Sequence, residues 1–301
     1  MEGLGQICAY VAFIVLGYVL RRVNVLKADT VHALAGLVLY VTVPCLVIVS
    51  LNGIQIEAAY FGLIALGIVC NLVMCLIGRI WKGNASDDAR RFAMINLAGY
   101  NIGTFAMPLM QGFVTPVGFL SICMFDVGNA FMCTGTTYSL AMGGGNGSRK
   151  EFFKAILSRM LTSGPIWAYS TMTLMAIFHL AFPDFVIDFA RIGANANAFL
   201  AMIMIGQGIN LSMRPDQIKD IFMHLAVRVF FSTLIALAIY FWLPFEEDVR
   251  KALAILAFAP IPAIALVFSI KAKCDMKMAA NFNSLSVATS VIIVMILVSV
   301  L

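Results

Sequence analysis

Charge is what this sequence has least of: 12% of its residues are Asp, Glu, Lys or Arg, against about 25% in a soluble domain. With 62% hydrophobic residues and a mean hydropathy of +0.96, the chain has too little polar surface to enclose a water-soluble core. Signature patterns of chemistry are also missing. There is no GxxxxGKS/T for a nucleoside triphosphate, no HExxH, no GxSxG and no CxxC. Those absences exclude ATP-driven pumping by this chain alone and argue against an enzyme or a resident metal. Seven cysteines (Cys8, Cys45, Cys70, Cys75, Cys123, Cys133 and Cys274) fall mostly in apolar runs without ligand spacing and read as small buried hydrophobes. His32, His179 and His224 lie near the ends of apolar runs without clustering, as interfacial residues do. No basic segment precedes the first apolar run; Glu2 stands there and Arg21-Arg22 follow it, so the run is expected to be retained and not cleaved as a signal peptide.

What the sequence has is apolar runs of bilayer length, roughly 17 to 25 residues each. Charged and turn-forming residues punctuate them into ten expected spans, near 3–20, 31–51, 58–80, 92–112, 115–142, 161–181, 187–210, 217–243, 249–270 and 278–301. Each is expected to be helical, because lipid offers an isolated segment no other way to satisfy its backbone. The expected fold is therefore an all-α integral membrane protein.

Positive charge tests that count, since Lys and Arg collect on cytoplasmic loops. The odd-numbered connections hold Arg21, Arg22 and Lys27, then Arg79, Lys82, Arg90 and Arg91, then Arg149, Lys150, Lys154 and Arg159, then Arg214 and Lys219, then Lys271, Lys273 and Lys277. The even-numbered ones hold Arg191, Arg250 and Lys251 alone, and Arg228 lies within a span. This asymmetry places the odd loops in the cytoplasm and both termini outside. The linker Gly143-Gly144-Gly145-Asn146-Gly147-Ser148-Arg149-Lys150 falls after the fifth span and is flexible by composition. It divides the chain into a first five-helix unit at 1–142, a cytoplasmic linker at 143–160 and a second five-helix unit at 161–301. Five helices per half put the halves in opposite orientations, the arithmetic of an inverted repeat.

Two spans are expected to break. The fourth contains Asn96, Gly99, Asn101, Gly103 and Pro108, and the ninth contains Pro260, Pro262 and Ser269. Proline removes a backbone donor, glycine weakens helix, and the two spans are equivalent in a five-plus-five arrangement. Backbone freed at such breaks must be covered by protein or line a watery cavity, where helix N-termini favour anions. Kinks without function are the alternative for either span taken singly.

Other polar residues sit inside spans. Asp126 and Asn129 in the fifth are candidates for a coupling ion, or for a structural hydrogen bond or ion pair. Arg228 in the eighth pairs with Asp126, contacts an anion or snorkels to the cytoplasmic face. In the seventh, Asn195, Asn197, Gln207 and Asn210 contact substrate or act as interhelical glue. Pro44 bends the second span toward the cavity or serves packing.

Four segments resemble the auxin efflux carrier family: Leu16-Gly17-Tyr18 with Tyr40 to Pro44; Asn101 through Pro108-Leu109; Gly164-Pro165 and Trp167-Ala168 through Pro183 to Ile205-Gly206-Gln207-Gly208; and Ala259-Pro260 through Cys274-Asp275. The resemblance implies two inverted five-helix repeats whose fourth and ninth helices are broken and cross, as in bile-acid symporters and sodium/proton antiporters. It also implies alternating access and a homodimer. Asn101 matches the asparagine of the first crossover and Pro260 the proline of the second. The family commonly has glycine where Ala106 stands, and the long cytoplasmic loop of the plant members is absent, so auxin is not inherited as the substrate.

The expectation is a secondary transporter of a small organic anion, a carboxylate such as malate, malonate or an auxin-like acid, in the cell membrane, without nucleic acid. Its substrate site is expected at Asn101, Gly103, Thr104, Pro108, Pro260, Ile261 and Pro262, with Pro44, Gln207 and Asn210 contributing. No cofactor is expected beyond a coupling proton, at Asp126, or a sodium ion, on backbone carbonyls and hydroxyls such as Thr104 or Ser269. The alternative is a membrane receptor or sensor that keeps the fold and binds without transporting.

Overall fold

A computed structural model describes residues 2–27, 29–143, 154, 157–158, 160–209 and 215–300. In chain order its elements are α1 (Glu2–Arg22), α2 (Thr30–Leu51), α3 (Ala58–Trp81), α4 (Asp87–Leu97), α5 (Met107–Met110, entered through a π turn over Ile102–Ala106), α6 (Pro116–Ala141), α7 (Gly164–Ile177), α8 (Asp184–Gly208), α9 (Ile218–Trp242), α10 (Glu247–Leu256), α11 (Ile264–Lys271) and α12 (Met276–Val300). Among the described residues there is no strand.

Seven of these helices, α1, α2, α3, α6, α8, α9 and α12, are long and apolar enough to cross a membrane. The other expected spans are not single long helices. The sixth contains only the 14 residues of α7, which ends before His179, a residue at φ +53°, and Pro183. The fourth and ninth are each two short helices joined by unwound chain. Most of the expected linker at 143–160, including Arg149, Lys150 and Arg159, lies outside the described residues, as do Asn210 and Arg214.

Glycine sets how closely the long helices approach. A Cβ on Gly17 of α1 would run into the carbonyl of Ile203 on α8, and one on Gly206 of α8 into the carbonyl of Ile14 on α1. The same reciprocal fit joins α3 to α6, with Gly67 against the Phe125 carbonyl and Gly128 against that of Ile64. Helices in lipid gain little hydrophobic driving force from one another, so small residues that admit close packing carry the association. Around the first pair gather α2 and α7; around the second gather α4 and α10, with α9 against α10. Outer faces carry exposed Ile80, Phe185, Phe189, Phe241 and Trp242, surfaces suited to acyl chains.

The half-helices α4 and α10 begin alike. Ser86 Oγ accepts from the Ala89 amide at 3.3 Å ahead of Asp87 and Asp88, and α10 opens with Glu247 and Asp248. Acids complement the positive end of a helix dipole. Three of these four acids pair with a cation one turn on: Asp87 with Arg90, Asp88 with Arg91 at 3.6 Å, and Glu247 with Lys251 at 2.8 Å. The hydrogen bond and charge of Lys251 hold the Glu247 carboxyl below its usual range.

Candidate functional site

The two breaks meet. α4 ends at Leu97 and the chain unwinds through Ala98 to Asn101; α10 ends at Leu256 and the chain stays irregular through Pro262 before α11 begins. The Asn101 amide donates to the Pro260 carbonyl at 2.8 Å, so the unwound segments are joined directly. Gly99, at φ +86°, is where the crossing is tightest: a Cβ there would lie 2.7 Å from both Cδ and Cγ of Pro262 and 3.0 Å from Cys133 Sγ. Only glycine meets both demands without strain. The break thus lies upstream of Pro108, which sits directly after the π turn Ile102–Ala106; the wider turn accommodates a residue that has no amide hydrogen to donate.

Asn101 stands at the entry to the second half of its span as the residue before the π turn. Its Oδ1 accepts from Thr104 Oγ at 2.6 Å, which fixes the amide plane and leaves the Nδ2 hydrogens without a hydrogen-bond partner among the described residues. Asn101, Gly103 and Thr104 are all partly exposed. Gly103 faces Leu39 of the π turn in α2, 3.1 Å from an added Cβ, and Pro165 of α7 at 3.9 Å. The first amides of a helix lack intrahelical acceptors, so a partly open donor group sits where the dipole end is positive. Pro260 and Ile261 are buried on the opposite strand of the crossing, and Pro262 is partly exposed.

Behind this face the unwound chain is held by side chains. Asn129 of α6 treats Tyr100 as a peptide partner: its Oδ1 accepts from the Tyr100 amide at 3.1 Å and its Nδ2 donates to the Tyr100 carbonyl at 2.9 Å. Its Nδ2 also donates to Asp126 Oδ1 at 3.0 Å, and its Oδ1 accepts from Asn71 at 3.3 Å. The other oxygen of Asp126 accepts from Tyr169 of α7 at 2.9 Å. Asp126 and Asn129 are therefore tied to the crossing by a continuous buried network. Among the described residues Asp126 has no cationic partner within ion-pair distance.

Arg228 neither snorkels nor pairs with Asp126. It is 4% exposed, and its guanidinium spans both breaks. Nη1 donates to the Leu97 carbonyl, and Nη2 donates to those of Gly99 at 2.9 Å and Ala259 at 2.8 Å. The group lies 5.5 Å from the centre of the Tyr100 ring. α4 and α10 each present a C-terminal dipole end of roughly −0.5 charge, and together they offset the cation that would otherwise be costly to bury.

The remaining candidates are dispersed. Pro44 follows the π turn Val38–Thr42 in α2, and that turn packs on the one after Asn101. Gln207 is instead bound to the connection after α1: its Nε2 donates to the Lys27 carbonyl at 2.6 Å, while its own carbonyl accepts from Arg21 at 2.6 Å. The structure does not bring it to the crossing, and Asn210 lies outside the described residues. Asn195 is exposed, whereas Asn197 is buried; its Oδ1 accepts from Thr42 at 2.7 Å and its Nδ2 donates to Gln111 at 2.8 Å. Ser269 Oγ accepts from Asn96 at 2.8 Å. His224 is buried, 4.6 Å from Trp81 and 5.0 Å from Phe92 between ring centres. Sequence reasoning missed Tyr169 and the clamping role of Asn129; the only available signal was a Tyr and an Asn in hydrocarbon.

An all-helical chain with apolar outer faces and a polar crossing of interrupted helices belongs to the integral membrane proteins of the transport class. The family described as membrane transport protein matches residues 5–159. The chain belongs to this family, that of the auxin efflux carriers. A protein of Methanothermobacter thermautotrophicus named as an uncharacterized transporter is 24% identical over 300 residues, covering 97% of this chain and 96% of that one.

Proposed function

We propose that this membrane transporter is a secondary carrier of a small organic anion, a carboxylate of the malate or malonate type, bound at the crossing and moved by alternating access. The observation that carries the reading is the Asn101 side-chain amide, oriented by Thr104, its Nδ2 without a partner among the described residues, set beside a half-helix N-terminus joined to Pro260. A carboxylate there receives charge-assisted hydrogen bonds and a favourable dipole. Asn101, Gly103, Thr104 and Pro262 form the accessible part of the site, and Pro108, Pro260 and Ile261 its backing; Pro44 shapes the facing turn of α2. Asp126, with Asn129 holding it, is the group available to carry a coupling proton.

The architecture proposed is ten membrane passages in two inverted five-helix repeats, divided at the 143–160 linker. Its support is a correspondence at an offset of 160 in the numbering: Asp87-Asp88, Arg90-Arg91 and Gly99 fall on Glu247-Asp248, Arg250-Lys251 and Ala259. The carbonyls of Gly99 and Ala259, equivalent under that offset, share one Arg228 nitrogen. α1, α2, α7 and α8 form the fixed part and the remaining helices the moving part, in a homodimer of the cell membrane with both termini outside.

The test is uptake into proteoliposomes and current on a solid-supported membrane, with malate, malonate, succinate, indole-3-acetate and a neutral amino acid, with and without a pH gradient. Carboxylate uptake is expected, falling ~10-fold or more in Asn101→Ala, since a hydrogen bond to a charged group contributes about 1.5–3 kcal/mol. Asp126→Asn is expected to lose the response to the gradient. Tight carboxylate binding with no flux would favour the receptor reading, and indifference to every carboxylate would remove the substrate class.

A further inference from the structure

In transporters built on broken helices, unwound carbonyls and the C-terminal ends of half-helices coordinate the coupling sodium ion. Here that position is filled. The carbonyls of Leu97, Gly99 and Ala259 all accept from the one guanidinium of Arg228. Those of Tyr100 and Pro260 are taken by Asn129 Nδ2 and by the Asn101 amide. Ser269 Oγ, the hydroxyl of α11 nearest in kind to a sodium ligand, accepts from Asn96. The fork of an arginine suits this arrangement, because its planar donors reach several acceptors at once and it stays charged at any physiological pH.

We propose that Arg228 is a protein-borne substitute for the coupling metal cation, holding the C-terminal ends of α4 and α10 together so that transport needs neither sodium nor potassium. The inference rests on the transporter reading, yet makes its own claim: the acceptors at the breaks form a monovalent-cation site whose occupant is a side chain. Asp126 is not the counter-charge, since its oxygens face Asn129 and Tyr169. The negative potential that Arg228 neutralises comes from the paired helix ends. Arg228 is a positioning residue; it fixes the angle of the crossing against which Asn101 is presented.

The experiment replaces sodium chloride by potassium chloride or N-methylglucamine chloride in proteoliposomes, using malonate and malate as probes. Wild-type uptake is expected to agree within two-fold in all three; uptake that stops without sodium would overturn the proposal. Arg228→Ala is expected to lose at least ten-fold in N-methylglucamine and to regain part of it, saturably, with sodium or with millimolar methylguanidinium. The thermal midpoint of the purified variant in detergent should rise with the same two cations while that of the wild type stays fixed. This readout needs no transported anion, so a wrong substrate class leaves it intact. Arg228→Lys keeps a fixed charge and should remain indifferent to sodium, and it serves where the alanine variant does not fold. Arg228→Ala whose stability and uptake ignore both cations, or Arg228→Lys that acquires a sodium requirement, would equally sink the idea.

Discussion

Asn129 shows how a single side chain can stand in for secondary structure. In a continuous helix the amide and carbonyl of Tyr100 would bond within the helix; in the unwound segment they bond to Asn129 at 3.1 and 2.9 Å. Each buried backbone group left unpaired costs about 1–3 kcal/mol. Asn129→Leu, close in size but without polar atoms, should therefore lower stability by ~2–4 kcal/mol, read as a fall in thermal midpoint in detergent. Asn129→Asp keeps an acceptor for the Tyr100 amide but loses the donor and adds a charge beside Asp126, and it should be no better tolerated. An isolated loss of transport with unchanged stability would show that Asn129 belongs to the substrate face and not to the support of the crossing.

Among the elements, the crossing depends most on the four residues between α4 and the π turn. Gly99→Ala must adopt φ +86° and put a methyl 2.7 Å from Pro262. Left-handed backbone costs a non-glycine residue roughly 1–2 kcal/mol before the clash is counted. The expected outcome is a protein that still inserts but melts lower and transports little, whereas Gly53→Ala, also at positive φ but with open space around it, should leave uptake near wild type. The breaks themselves were legible from the Asn, Gly and Pro residues of the fourth and ninth spans. Their extent was less so, since Pro108, a residue that disrupts a helix interior, lies past the unwound stretch and directly after the π turn Ile102–Ala106. Arg228 was not legible for a different reason. Its distance from the start of its span allows snorkelling, and nothing along the chain links it to Leu97 or Ala259, its partners 131 and 31 positions away. Tyr169 was hidden likewise, 43 positions from Asp126. The seven long helices, by contrast, follow from hydropathy alone, since lipid leaves an apolar run of that length a single way to satisfy its backbone.

For the molecule as a whole, the group around α1 and α8 and the group around α3 and α6 meet along a mostly apolar seam, where the π turns of α2 and of the fourth span pack together. Two polar links cross it among the described residues: Tyr169 of α7 to Asp126 of α6, and Thr42 of α2 through Asn197 of α8 to Gln111, just beyond α5. Asn197 is fully buried, so the displacement of the fourth span past α8 that the proposed alternating access entails would break its bond to Gln111 before water could replace it. That makes the Asn197–Gln111 bridge a latch with a thermal signature. Its rupture adds enthalpy to the barrier, and turnover in the intact protein should climb steeply with temperature. In Asn197→Leu the link to Gln111 is gone and the Tyr169–Asp126 bond remains, and an Eyring plot of uptake is expected to flatten while the resting arrangement becomes less populated. The same asparagine that a sequence reader assigns to substrate or to interhelical glue would then be the residue that sets how long the carrier waits between strokes.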